Sequence, residues 1–371
     1  YAGAGIVVLL NFDELVMASY AARDFTLGER LLTQPRVLVS YLGQMFVPVQ
    51  SRMGFFHDDV VVSTGLLSPA TTLPCLLFVL ALIAAAAGAA RRFPVTAFGV
   101  LFFFASHALE STVFGLELMF EHRNYLGSAG IIIAVFGLLA DLQVRPVRIA
   151  AGTAVLCLLL VFVSWNRTAT WENSYSLYTF AYLAHPRSDR VNLYYANAKA
   201  SQGQYDKARE FLAGISAPVG RDLHGLLFDC VEHERLDADR VENAARTAGV
   251  IDGHATSSAN LLMARLAAGQ CIADLERVEQ MLERVLANVA RSPRDRQAML
   301  MARSLLLELR GNVDAAVESL AQAQSLSTLD ALPAFEAAAM LVRFGRIEAA
   351  QDAFREALDI DRVARVAYPD R

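Results

Sequence analysis

The chain has 371 residues, 55% of them apolar and 19% charged, with a formal net charge of −5. Its mean hydropathy of +0.35 is too high for a single water-soluble globule. With no basic tract, nucleic acid has no support as a partner, and four cysteines with no CxxC pair and no histidine at ligand spacing argue against a disulfide framework or a zinc site.

The apolar excess lies before Trp165 and most of the charge after Thr168. This division predicts an all-α protein: a multi-span transmembrane helix bundle over residues 1–168, a linker helix over 169–191, and a water-soluble α-solenoid over 192–371. The chain opens on Tyr1, and its first apolar stretch has no basic leader or small-residue cleavage pattern, so it is expected to be a fragment or truncated product rather than to carry a signal peptide. Ala2 to Leu10 is apolar and runs into Asp13 and Glu14, which predicts the end of a span near residues 1–18.

Residues 29–47 (ERLLTQPRVLVSYLGQMFV) carry apolar side chains at helical spacing, with Arg30, Arg36 and Gln44 on the remaining face and Pro48 as a stop. This pattern is too polar for an ordinary crossing and predicts an amphipathic helix lying in, or dipping into, a membrane interface. Arg30 and Arg36 are then candidates for contact with lipid headgroups or a lipid phosphate. A crossing needs about 20 mostly apolar residues, and four stretches approach that length: about 73–90, 93–109, 125–140 and 149–165. Arg91 with Arg92, and Arg145 with Arg148, mark both short connectors as cytoplasmic. The loops at 49–72 and 110–124, and everything after Trp165, are then expected on the opposite face, which in a bacterial inner membrane is periplasmic.

Those outer loops hold the candidate chemistry. In His57-Asp58-Asp59, Asp58 is either a base or cation ligand or a solvated loop carboxylate. In the run from Glu117 to Tyr125, Glu121-His122-Arg123 is either an interfacial anchor or a site. As a site, Arg123 and His122 would hold a lipid phosphate, on which a guanidinium forks, while Glu121 orients an acceptor. His107 and Glu110 stand nearby at the end of a span.

The second half repeats. Residues 304–323 and 338–357 align without a gap, placing Gly311 against Gly345, Ala316 against Ala350, Leu320 against Phe354 and Ala323 against Ala357. This is the 34-residue tetratricopeptide (TPR) period, with a glycine in the turn and small residues between paired helices. A third copy starts at Tyr195, with Gly203, Tyr205 and Ala208 in register, and degenerate copies between them bring the expectation to about five. Such a groove takes a protein or peptide, and Asn197 on the first helix is either a hydrogen-bonding contact to it or a solvated amide. No GxSxG, P-loop, dinucleotide, HExxH or kinase signature is present.

The order Glu29-Arg30-Leu31-Leu32-Thr33-Gln34, Tyr41-Leu42, Pro48, His57-Asp58, Pro69-x-Thr71-Thr72, Leu116-Glu117 and Glu121-His122-Arg123-x-Tyr125-Leu126, followed by spans and repeats, resembles a family. It is similar to bacterial multi-span proteins related to the transmembrane-and-TPR protein O-mannosyltransferases, which resemble the GT-C superfamily of glycosyltransferases. The resemblance implies transfer of a sugar from a polyprenyl-phosphate carrier to a protein hydroxyl or another acceptor on the periplasmic face, with no tightly bound cofactor and the metal requirement left open. It also implies an acidic residue in a first outer loop that has no counterpart here, so the chain would correspond to the C-terminal portion. The alternatives are a non-catalytic membrane-anchored scaffold for envelope or pilus assembly, and an enzyme resembling O-antigen ligases or polymerases.

Overall fold

A computed structural model describes residues 16–20, 23–49, 53–247, 249–327 and 330–367. The expected span near residues 1–18 falls largely outside them, and its described end, Met17–Tyr20, is a 3₁₀ turn. The described secondary structure is helical apart from isolated bridges. The chain divides into two compact units, 1–198 and 199–371. The N-terminal unit therefore reaches beyond Asn192, where the repeats were expected to begin.

In the N-terminal unit, helix α1 (Leu27–Phe46) starts at a capping box: the Thr26 hydroxyl accepts from Glu29 N, and the Glu29 carboxylate accepts from Thr26 N. It is followed by α2 (Thr72–Ala89), α3 (Pro94–His107), α4 (Asn124–Asp141), α5 (Pro146–Ala169), α6 (Ser174–Ala184) and α7 (Asp189–Ala200). Among the described residues three segments, Thr72–Ala89, Glu121–Asp141 and Pro146–Ala169, are long and apolar enough to cross a membrane, and α3 is a shorter apolar helix. No residue of α5 is buried, so Leu158, Val161 and Phe162 stand exposed along it.

Helix α1 differs from the interfacial expectation, because its polar face is turned inward. Arg30 is wholly buried and Gln34 and Gln44 nearly so, while Leu31, Phe46 and Val47 are exposed. The reason lies in the irregular segment 110–120, whose backbone carbonyls have no ladder to join. Arg30 donates to the carbonyls of Glu110, Thr112 and Leu116, Gln34 donates to Leu118 O at 3.0 Å, and the Tyr41 hydroxyl donates to Phe120 O at 2.8 Å. A small apolar core of Val37, Tyr41, Leu42, Phe103, Met119 and Ile131 closes over these bonds.

Helices α3 and α4 meet backbone to backbone. A Cβ added at Gly99 would lie 2.4 Å from Gly130 O, and one added at Gly130 would lie 2.6 Å from Gly99 O. Gly127 and Gly137 extend the same stripe, against His107 and Val95. Close approach through small residues is the usual way for helices to associate where no water is expelled.

The C-terminal unit begins with α8 (Tyr205–Leu212), followed in chain order by α9 (Pro218–His233) and α10 (Ala238–Arg246), α11 (Gly253–Ala267) and α12 (Leu275–Leu286), α13 (Pro293–Leu309) and α14 (Val313–Ser325), and α15 (Leu332–Arg343) and α16 (Ile347–Ala367). Four turns between consecutive helices pass through a left-handed glycine: Gly203, Gly269, Gly311 and Gly345, with φ between +65° and +75°. Between α9 and α10 Glu234 holds that conformation at φ 53°. Ala316, Ala323, Ala350 and Ala357, predicted as small packing positions, are all buried. The remaining core of the unit runs through Leu223, Leu262, Met281, Leu282 and Met299. The C-terminal unit is thus an array of consecutive helices joined by short left-handed turns.

Candidate functional site

The N-terminal unit gathers charged side chains from five distant segments: the residues before α1, the loop at 53–63, the stretch 110–123, the last turn of α5, and the stretch from the end of α6 into the first turn of α7. Glu121 is at the centre. Its carboxylate accepts from Gly54 N at 2.7 Å and from Arg167 Nη2 at 2.9 Å, and Oε1 lies 3.4 Å from His57 Nε2. His57 is buried, with its ring 4.6 Å from and nearly perpendicular to that of His185. His185 Nδ1 lies 3.0 Å from Asp59 Oδ1, and its buried Nε2 has no hydrogen-bond partner. Gly54 permits the approach, since a Cβ there would meet His185 Cδ2 at 2.7 Å.

Burial pushes the Asp59 carboxyl up, but the hydrogen bond from His185 and the charges of His185 and His57 outweigh it, holding Asp59 below its ordinary value. A carboxylate that orients the Nδ1 side of an imidazole leaves the other nitrogen for proton transfer, so this pair has the form of an acid–base group.

A second arm of the cluster centres on Glu117, which pairs with Arg190 and lies 3.5 Å from Arg23. Arg123 donates to Glu117 O at 2.6 Å, lies 3.2 Å from Glu110 Oε2, and sits over the Phe120 ring. The guanidiniums of Arg23, Arg123, Arg167 and Arg190 each meet a carboxylate, Arg23 and Arg190 sharing Glu117.

The sequence candidates divide accordingly. Glu121 and Arg123 belong to the cluster. Arg30 was expected to meet a lipid phosphate, but it is wholly buried and its donors are taken by backbone carbonyls, so a phosphate has no route to it. Arg36 donates to Thr71 Oγ1 at 3.0 Å and to Val61 O, pinning the loop before α2. Asp58 accepts from the Ser188 hydroxyl and from Arg190 N, and so ties its loop to the start of α7, while its neighbour Asp59 faces the histidines. His122 is exposed with its ring against Phe120. Asn197 is exposed on α7. Arg167, His185 and Arg190 were missed because nothing local marks them; only contacts across 46 to 132 residues bring them in.

The repeat unit holds a cavity of roughly 290 Å³ lined by Arg209, Arg221, Asp222 and Arg240 among others. Its arginines are also matched: Arg209 and Arg240 to the buried Asp229, and Arg221 to Asp222. Among the described residues no group of three or more histidine, cysteine or acidic side chains is arranged to hold a metal ion.

No protein-family model matches the chain, and no curated protein matches it. Among solved structures it is similar to the one titled "Crystal structure of APC/C hetero-tetramer Cut9-Hcn1", at 13% identity and a TM-score of 0.32, over 95% of this chain and 67% of that one.

Proposed function

We propose that the chain is the C-terminal portion of a membrane glycosyltransferase of the GT-C kind, using a lipid-linked sugar on the periplasmic face and presenting a protein acceptor on its repeats. The observation that carries this reading is the convergence of His57, Asp59 and His185 on Glu121 and Arg167, which stand at the ends of two segments long and apolar enough to cross a membrane. Acid–base side chains held against apolar helices, with a dry dielectric to strengthen them, suit removal of a proton from an acceptor hydroxyl. A phosphate would enter by taking a guanidinium from its carboxylate, and Arg167 is the one whose partner, Glu121, lies within reach of His57. Sugar transfer from a polyprenyl-phosphate sugar to a peptide, measured in nanodiscs, is expected to fall at least 100-fold in Glu121→Gln and Arg123→Ala; transfer at the unmodified rate in both variants would remove the reading.

A second reading, a membrane-anchored scaffold, is favoured by the internal neutralisation of the cluster, which is what a structural ion-pair network requires. It is supported if removal of residues 199–371 abolishes function in the cell while the two substitutions leave it intact.

A further inference from the structure

Beside the charged cluster lies a file of aromatic rings that the acid–base reading does not use. Trp171, four residues beyond Arg167, stands perpendicular to Phe55 with ring centroids 4.6 Å apart. Phe55 adjoins Phe56, Phe56 is stacked on Tyr194 at 5.4 Å and 4° between planes, and Tyr194 is stacked on Tyr178 at 5.1 Å. Buried rings of this size would be ordinary core. These are not buried: Trp171 is 56% exposed and Tyr194 40%.

We propose that this file is a saccharide-binding platform, with Trp171 as the stacking face and the Arg190–Glu117 pair as its polar rim. The aromatic face carries negative quadrupolar charge and attracts the polarised C–H groups on one face of a pyranose ring. Edge contact of Trp171 with Phe55 and stacking of Phe56, Tyr194 and Tyr178 hold the rings, so less side-chain entropy is lost when a ligand is bound. Arg190 lies over Phe56 at 5.6 Å and is paired with Glu117, which puts both a donor and an acceptor for sugar hydroxyls at the edge of the file. Glu117 is shared between Arg190 and Arg23, so guanidinium donors and a carboxylate acceptor stand at the same edge. Donors and an acceptor side by side suit the hydroxyls of a neutral polyol. The proposal deepens the glycosyltransferase reading and rests on it only for the origin of the sugar; the platform itself is defined by the rings and their rim.

Trp165 and Trp171 are the chain's two tryptophans, so Trp165→Phe leaves Trp171 as sole reporter. The full chain carrying that change, in zwitterionic nanodiscs, is titrated with neutral manno-, gluco-, galacto- and N-acetylglucosamine tetrasaccharides. At least one is expected to shift Trp171 emission saturably, with affinity reduced at least tenfold by Phe56→Ala and within threefold of the original in Phe56→Tyr. In nanodiscs with brominated acyl chains, Trp171 is expected to keep its emission. Indifference to every saccharide, a response unchanged by Phe56→Ala, or quenching by brominated chains that saccharide does not relieve overturns the platform, the last by assigning the rings to a lipid interface. Saccharide binding without transfer from a lipid-linked donor leaves the platform standing and removes the transferase reading; transfer without any saccharide response does the reverse.

Discussion

Glu121 accepts a hydrogen bond from Arg167 at 2.9 Å across 46 residues, joining the turn that opens α4 to the last turn of α5. Both side chains are partly buried, so the pair is worth more than an exposed one, and losing a single partner leaves a charge without compensation. Arg167→Met is expected to destabilise the N-terminal unit by about 1–3 kcal/mol. Glu121→Gln with Arg167→Met should cost less than the sum of the two single changes. Thermal unfolding in nanodiscs, analysed as a double-mutant cycle, checks this, and strict additivity would refute the coupling.

Cys157 lies midway along α5 and is exposed, whereas Cys230 and Cys271 are buried in the repeat unit. If lipid surrounds α5, a charged maleimide cannot reach the Cys157 thiol, while a small apolar maleimide can. Burial, together with the neighbouring Cys230 thiol, pushes Cys271 up to about 12, so it should resist both reagents near neutral pH. Mass spectrometry of labelled nanodisc samples gives the answer; rapid labelling of Cys157 by the charged reagent would place α5 in water.

The turns between consecutive helices provide a reciprocal test. Gly345 at φ +70° and Glu234 at φ 53° occupy the same left-handed conformation, but only the glycine does so without a Cβ penalty. Gly345→Ala is expected to destabilise the repeats by about 1 kcal/mol and Glu234→Gly to stabilise them by a similar amount. Urea unfolding followed by circular dichroism measures both, and changes of the same sign would contradict the argument.

His224 is buried on α9, with Nδ1 2.8 Å from Ser258 Oγ and its ring against Phe228. Burial, reinforced by the charge of His254, pushes it down to about 4. Its neutral form is therefore favoured by folding. The stability it contributes is complete above its unfolded value near 6.5, declines as pH falls from there, and is lost once pH passes through about 4. The loss has a ceiling of roughly 3 kcal/mol. Unfolding free energies at pH 7, 5.5 and 4.5 should fall in that order, and His224→Gln should flatten the slope over this window.

Gly130 offers a packing test in the other unit. Gly130→Val would drive a branched side chain into Gly99 O and Phe103 N, groups that cannot yield without parting α3 from α4. A loss of about 1–3 kcal/mol is expected from overpacking alone, and Gly152→Val, where nothing lies within 4 Å, serves as the control.

The sequence alone determined the apolar helices and the repeats, because both are periodic properties of contiguous residues. Thr72–Ala89 and Pro146–Ala169 are evident from composition. The turn glycines are legible because a left-handed residue must recur wherever one helix turns back on the next; the turn after α9 was harder to read because Glu234 takes the glycine's place. Glu121 and Arg123 were recognisable as a cluster because they are adjacent in sequence. Only the tertiary structure decided that Arg30 faces inward, that Asp59 rather than Asp58 meets a histidine, and that Arg167, His185 and Arg190 complete the cluster. The physical reason is range: a polar side chain goes wherever unpaired carbonyls or opposite charges await it, and here those partners lie as far as 132 residues away.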